Sequence, residues 1–265
     1  RRHGRLVPRG RAAAVMGLRF DQLVWAWIGV GVVTFLVLLV VPAPYGRHAR
    51  RDWGPTVDNR LAWFVMEIVV LVVFWRVIVR SGHLLARPAL VMALLFTVHY
   101  FNRAVVFPFR LRTRGKRMPL VIMLLAVGFN VVNGTLLGWQ LAWRGAYPLT
   151  WLGDPRFLLG LGLFVTGMGV NWWADRKLIA LRKPGEMGYV IPRGGLFERV
   201  SCPNHLGEIV EWSGFAVMTW SLPGFAFALW TAANLVPRSL AHHRWYRETF
   251  PDYPPGRKAV FPGLV

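Results

Sequence analysis

Cysteine and acidic residues are scarce in this sequence. Cys202 is the only cysteine among 265 residues, which excludes an intramolecular disulfide. Asp and Glu together number 12 against 32 Lys and Arg, a formal charge of +20. No GxGxxG follows a strand-like run, which argues against a Rossmann dinucleotide module. There is no internal repeat, and no polar stretch is long enough to form a soluble domain between the apolar runs. His242 and His243 are adjacent, but no second cluster offers metal-ligand spacing, so no metal site is expected.

What is abundant is apolar and aromatic sequence: 55% hydrophobic residues, with 14 Trp and 17 Phe. These residues are gathered into runs. About 20 apolar residues span the hydrocarbon layer as a helix, and helices satisfy their own backbone polar groups in lipid. Runs at 23–41, 62–79, 89–107, 120–143, 157–181, 206–220 and 224–240 predict an all-α integral membrane protein, a bundle of about seven transmembrane helices. The last two runs are separated only by SLPG, a turn signal. Residues 15–265 are read as one transmembrane domain. Residues 1–14 contain LVPRG, which resembles a protease site used to remove affinity tags, and are expected to be a tag remnant or a disordered basic segment.

The basic residues lie mainly in short loops. Arg47, Arg50, Arg51 and Arg60 follow the first run, and Arg110, Arg112, Arg114, Lys116 and Arg117 follow the third. Arg182, Lys183, Arg193 and Arg199 follow the fifth, and Arg244, Arg247, Arg257 and Lys258 follow the seventh. With seven spans all four segments fall on one side, which the positive-inside rule makes cytoplasmic. The C-terminus is then cytoplasmic and the N-terminus external or lumenal. This distribution reads as membrane topology rather than as a nucleic-acid footprint.

Several polar groups sit where lipid would penalise them. Even on lenient insertion scales a charge at a helix centre costs about 2.5–3.5 kcal/mol, so such groups usually face a partner, ligand or water-filled cavity. Glu67 lies in LAWFVMEIVVLVVFW, and Tyr100 and Arg103 in HYFNR. Asn171 and Asp175 are four apart, as are Asn204 and Glu208, and His242 and Tyr246, so each pair shares a helix face. Bland readings stand beside the functional one. Glu208 and Glu211 could pair with loop arginines, Glu67 with Arg103, and Asn171 and Asp175 could join helices by hydrogen bonds. The 181–197 segment, LRKPGEMGYVIPRGGLF, carries Arg182, Tyr189 and Arg193 between Pro and Gly, a composition that suits phosphate recognition at helix ends.

The stretch NWWADRKLIALRKPGEMGYVIPRGGLFERVSCPNHLGEIVEWSGF resembles the C-terminal core of the steroid 5α-reductase family, and the ending HHRWYRETFPDYPPGRKAVFP fits the same family. The resemblance runs from Asn171 to about Pro262. HYFNR resembles the family's HYFHR-type segment, with Asn102 where a His is often found. The resemblance implies a seven-helix enzyme that uses NADPH to reduce the C4–C5 double bond of a 3-oxo-Δ4-steroid to the 5α product. It implies that Asn171, Asp175, Arg182, Tyr189, Asn204, Glu208, His242 and Tyr246 hold the cofactor, which enters from the cytosolic side. Arg103 and the 114–117 loop would add phosphate contacts, and Glu67 and Tyr100 would hold the 3-oxo group. The chemistry asks for such donors independently. Hydride addition to a conjugated enone puts negative charge on the ketone oxygen, where a donor stabilises it. Tyr100 can donate, and Glu67 can when protonated. The partners expected are a steroid-like lipid and membrane lipid, with the chain acting as a monomer. Alternatives left open are a related reductase of an enoyl thioester, polyprenol or sterol ring, a membrane methyltransferase using S-adenosylmethionine, and a non-catalytic membrane binding protein.

Overall fold

The computed structural model describes residues 9–48, 50, 52–82, 85–112, 115–181 and 188–264, with side chains from residue 18 onward. Among the described residues seven long helices follow one another. They are α1 (Arg9–Val40), α2 (Asn59–Arg80), α3 (Arg87–Arg110), α4 (Leu120–Arg144), α5 (Pro155–Ala180), α6 (Pro203–Thr219) and α7 (Leu222–Thr249). The first five are long and apolar enough to cross a membrane. The expected helical membrane bundle is therefore present. Helix α6, with 17 residues, is shorter and carries Glu208 and Glu211, and α7 carries Arg238, His242 and His243.

Local chemistry explains the helix boundaries. The Asp58 carboxylate caps α2, accepting from the backbone N–H of Arg60 and Leu61 at 2.9 and 3.1 Å. Between α6 and α7, Trp220 takes a left-handed conformation (φ 43°) and Ser221 caps α7 by accepting from Gly224 N at 3.2 Å. The SLPG turn is thus where the sequence puts it. The last helix, however, continues past the expected end at residue 240 to Thr249 and carries His242 and Tyr246 on its final turns.

Within α3, residues Asn102–Val106 form a π-helical turn. Pro108 lacks the N–H that the Ala104 carbonyl would receive and its ring crowds that carbonyl. Widening the preceding turn relieves both, and Phe107 N bonds to Asn102 O instead. Arg103 sits on this wide turn.

The closest helix contact is between α5 and α6. Gly160 and Gly167 on α5 face Gly214 and Gly207 on α6. A Cβ at Gly207 would lie 2.5 Å from Asn171 N, and one at Gly160 would lie 2.5 Å from Met218 N. Only glycine permits this approach, the small-residue packing of membrane helices. Beneath it, Phe74, Phe96, Phe164, Trp212 and Phe215 form a buried aromatic core, with Phe74 and Phe96 stacked at 4.4 Å.

The structure also contains a small feature the all-helical reading did not anticipate. Strands β1 (Thr56–Asp58) and β2 (Arg117–Pro119) pair antiparallel and join the loops after α1 and α3. Lys116 donates to the Tyr189 hydroxyl at 2.9 Å, and Val200 bridges Lys258. All four basic segments are therefore tied together at one end of the bundle.

Candidate functional site

The polar residues form two neighbouring clusters at that end. The first lies between α2, α3, α5 and α6. Arg103 Nη2 is 3.7 Å from Glu67 Oε1, and its Nη1 is 3.5 Å from Asp175 Oδ2. The guanidinium also lies over the Trp63 and Phe107 rings, each at 4.8 Å. Asn171 Nδ2 donates to Asn204 O at 3.0 Å and to Glu208 Oε2 at 3.4 Å, and Asn204 Nδ2 donates to Asp175 Oδ1 at 3.2 Å. The glycine seam makes this network possible, because it brings the Asn171 and Asn204 turns within reach of each other. Tyr100 is buried one helical turn before Arg103, packed on Phe96 at 4.7 Å and within electrostatic reach of Glu67, Glu208 and Arg103.

The second cluster joins α7 to the loops. His242 Nδ1 is 2.9 Å from His48 Nε2, and the two rings stack at 5.0 Å. Arg47 donates to the Tyr246 hydroxyl at 3.3 Å and lies over the Tyr246, Trp245 and Tyr189 rings at 4.5, 4.8 and 5.1 Å. Arg238 lies 3.6 Å above the Tyr45 ring. Burial, together with Arg238 and Arg47, pulls the His48 imidazole down to about 4, so the His48–His242 pair is neutral at pH 7.

Both clusters contain buried polar atoms without a hydrogen-bond partner: Asn171 Oδ1 and Asp175 Oδ2 in the first, Arg47 Nη1 and Arg238 Nη1 in the second. Such orphans are costly unless a ligand or water satisfies them. Acceptors at one end and guanidinium donors at the other match a molecule with a polar amide-and-sugar end and an anionic end. The residues present therefore fit a nicotinamide dinucleotide.

Of the site residues expected from sequence, Glu67, Tyr100, Arg103, Asn171, Asp175, Asn204 and Glu208 meet in the first cluster, and Tyr189, His242 and Tyr246 in the second. Arg182 and Arg114 lie outside the described residues. Arg117 bonds to the Thr56 hydroxyl and carbonyl at 2.7 and 2.6 Å, which commits it to the strand pair. Glu211 does not pair with a loop arginine. It is fully buried and bonds His99 Nδ1 at 2.7 Å, bracing α6 against α3. Arg47, His48 and Arg238 were missed as site residues. Arg238 carried a signal, since it stands four residues before His242 and eight before Tyr246 on the same helix face. Arg47 and His48 had none beyond loop charge. Burial raises the Cys202 thiol to about 11, which makes it unreactive.

The 3-oxo-5-alpha-steroid 4-dehydrogenase family profile matches residues 116–265. A steroid 5-alpha-reductase DET2 of Gossypium hirsutum is 46% identical over 238 residues, covering 88% of this chain and 92% of that protein. A 3-oxo-5-alpha-steroid 4-dehydrogenase 1 of Bos taurus is 43% identical over 249 residues, covering 92% and 96%. The corresponding Homo sapiens protein is 40% identical over 244 residues, covering 91% and 94%. With its multi-pass helical bundle and its converging polar clusters, the chain belongs to the 3-oxo-5-alpha-steroid 4-dehydrogenase family and is an oxidoreductase.

Proposed function

We propose that this protein reduces the C4–C5 double bond of a 3-oxo-Δ4-steroid to the 5α product, with NADPH as the reductant. The observation that carries this reading is the pairing of two unlike clusters in one bundle. One gathers buried and partly buried carboxylates, amides and a phenol around Arg103; the other holds two partly buried guanidinium groups among aromatic rings.

In this reading Asn171, Asp175, Asn204 and Glu208 bind the amide and ribose end of the cofactor, while Tyr189, His242 and Tyr246, with Arg47 and Arg238, hold its phosphate end. Arg182 is assigned to the same role on resemblance. When bound, the reduced nicotinamide supplies the hydride. The protein contributes position and electrostatics. Arg103 lies between the Glu67 and Asp175 carboxyl groups and offsets the Asp175 charge. As C5 gains its hydrogen, the 3-oxo oxygen becomes negative. Tyr100, and Glu67 in its protonated form, donate to that oxygen and lower the barrier. The enolate electron pair then returns to C4, which takes a proton. The aromatic core around Phe96 and Trp212 excludes water from the ring face. One chain supplies all of these groups, consistent with function as a monomer.

The test is incubation of purified protein with a panel of 3-oxo-Δ4-steroids and either NADPH or NADH, followed by mass spectrometry. Conversion of a 3-oxo-Δ4-steroid to its 5α-dihydro product, faster with NADPH, is expected. Reduction of enoyl thioesters or polyprenols in preference to every steroid would overturn the substrate assignment.

A further inference from the structure

A cleft of about 520 Å³ opens on the outer surface between α3 and α5. It lies beside the site described above and shares Asp175 and Phe107 with it. Its apolar wall is formed by Leu94, Val98 and Phe101, which are 50%, 45% and 53% exposed. These residues stand on a membrane-spanning helix, so the wall faces lipid. The rim is of opposite character. Arg110 ends α3, Arg176 lies in the last turns of α5, and both are exposed and line the cleft. Neither forms an ion pair among the described residues. Between rim and wall, the indole N–H of Trp172 is buried without a hydrogen-bond partner. The acid at the inner end, Asp175, is balanced by Arg103 at 3.5 Å.

We propose that this cleft is a binding site for one anionic phospholipid. The acyl chain lies along the Leu94–Val98–Phe101 ridge, the phosphate is held between Arg110 and Arg176, and the Trp172 N–H donates to the glycerol ester region. Charge complementarity selects the occupant. Two guanidinium groups without carboxylate partners stand in the last turns of two helices long and apolar enough to cross a membrane. Basic pockets between transmembrane helices recognise acidic headgroups in this way. Guanidinium planes bind phosphate through paired donors, so a zwitterionic lipid, whose own cation competes for its phosphate, is the weaker ligand. The apolar wall alone would accept any chain; the rim supplies the discrimination.

Native mass spectrometry of protein released from nanodiscs with equal phosphatidylglycerol and phosphatidylcholine of identical chains tests the proposal. The parent protein should retain one phosphatidylglycerol with a preference of about tenfold or more, given two cations at the rim. The double variant Arg110→Ala/Arg176→Ala should lose that preference, and Arg110→Lys/Arg176→Lys should keep part of it. Arg80→Ala/Arg87→Ala removes the same charge elsewhere and should behave like the parent. Val98→Trp, which fills the cleft without altering charge, should reduce retention of the lipid. Equal retention of both lipids by the parent would overturn the proposal. So would equal losses in the two alanine double variants, which would indicate attraction by net charge alone. Unaltered retention in Val98→Trp, or displacement of the lipid by inorganic phosphate, would also exclude a lipid seated in the cleft.

Discussion

Arg103 serves two carboxylates at once, at 3.7 Å from Glu67 and 3.5 Å from Asp175, and hydrogen-bonds neither. Two roles for Glu67 make opposite predictions. If Glu67 only neutralised Arg103, replacing it would lower stability and cofactor affinity together. In the proposed mechanism it supports charge on the 3-oxo oxygen, so Glu67→Gln and Tyr100→Phe should lose turnover far more than NADPH affinity. Loss of one such donor, as in Tyr100→Phe, costs about 10²–10³ in rate; the Gln amide keeps an N–H donor, so Glu67→Gln should retain more activity than Glu67→Ala. Single-turnover reduction, NADPH affinity and melting temperature measured on the same preparations separate the two roles.

His48 yields a second residue-scale prediction. Its depressed value near 4 means that the ligand-free protein holds it neutral. An anion bound beside Arg47 and Arg238 would favour the protonated imidazole, so binding would take up a proton. NADP⁺ affinity should therefore rise as pH falls from about 7 towards about 5. Titration calorimetry should show this rise flattened in His48→Gln. An identical pH dependence in parent and variant would remove His48 from the phosphate end.

At the level of elements, the site depends on how closely α5 and α6 approach. The carbonyl of Asn204 lies 3.0 Å from Asn171 Nδ2 because Gly207 places no atom between the helices. Gly207→Val should force the helices apart. Overpacking of this kind costs about 1–3 kcal/mol, and here the same shift breaks the amide network. Melting temperature and NADPH affinity should fall together. Full affinity at a lowered melting temperature would show that the seam supports the fold but not the site.

Much of this level was legible from sequence. Asn171–Asp175 and Asn204–Glu208 were readable because i,i+4 spacing fixes a helix face whatever the tertiary structure. That Glu211 would turn inward to His99 was not, since it stands three residues from Glu208 and both faces were open to it. The π turn at Asn102–Val106 and the β1–β2 pair were also beyond reach. The first depends on how one helix accommodates Pro108, and the second on long-range pairing of two three-residue segments with no strand periodicity of their own.

For the whole molecule, the four basic segments converge on one end through the strand pair, the Lys116–Tyr189 bond and the Val200–Lys258 bridge. Loop charge alone suggested this grouping, and the contacts provide a physical basis for it. Arg257 adds to the convergence. It is buried and donates to Pro192 O at 2.9 Å and Glu198 Oε2 at 3.2 Å, so the C-terminal tail holds the segment that leads into Asn204. If the basic end faces the cytoplasm, reporter fusions should place the C-terminus inside and the N-terminus outside. Two cytoplasmic termini would mean that one of the seven helices does not cross.

The most direct test of the central claim is single-turnover reduction with NADPH deuterated at the transferring C4 position. A 3-oxo-Δ4-steroid should gain deuterium at C5 on the α face and a solvent proton at C4, and Tyr100→Phe should slow the step by about 10²–10³ while NADPH stays bound. Deuterium at C4, or transfer at the parent rate in Tyr100→Phe, would contradict the account.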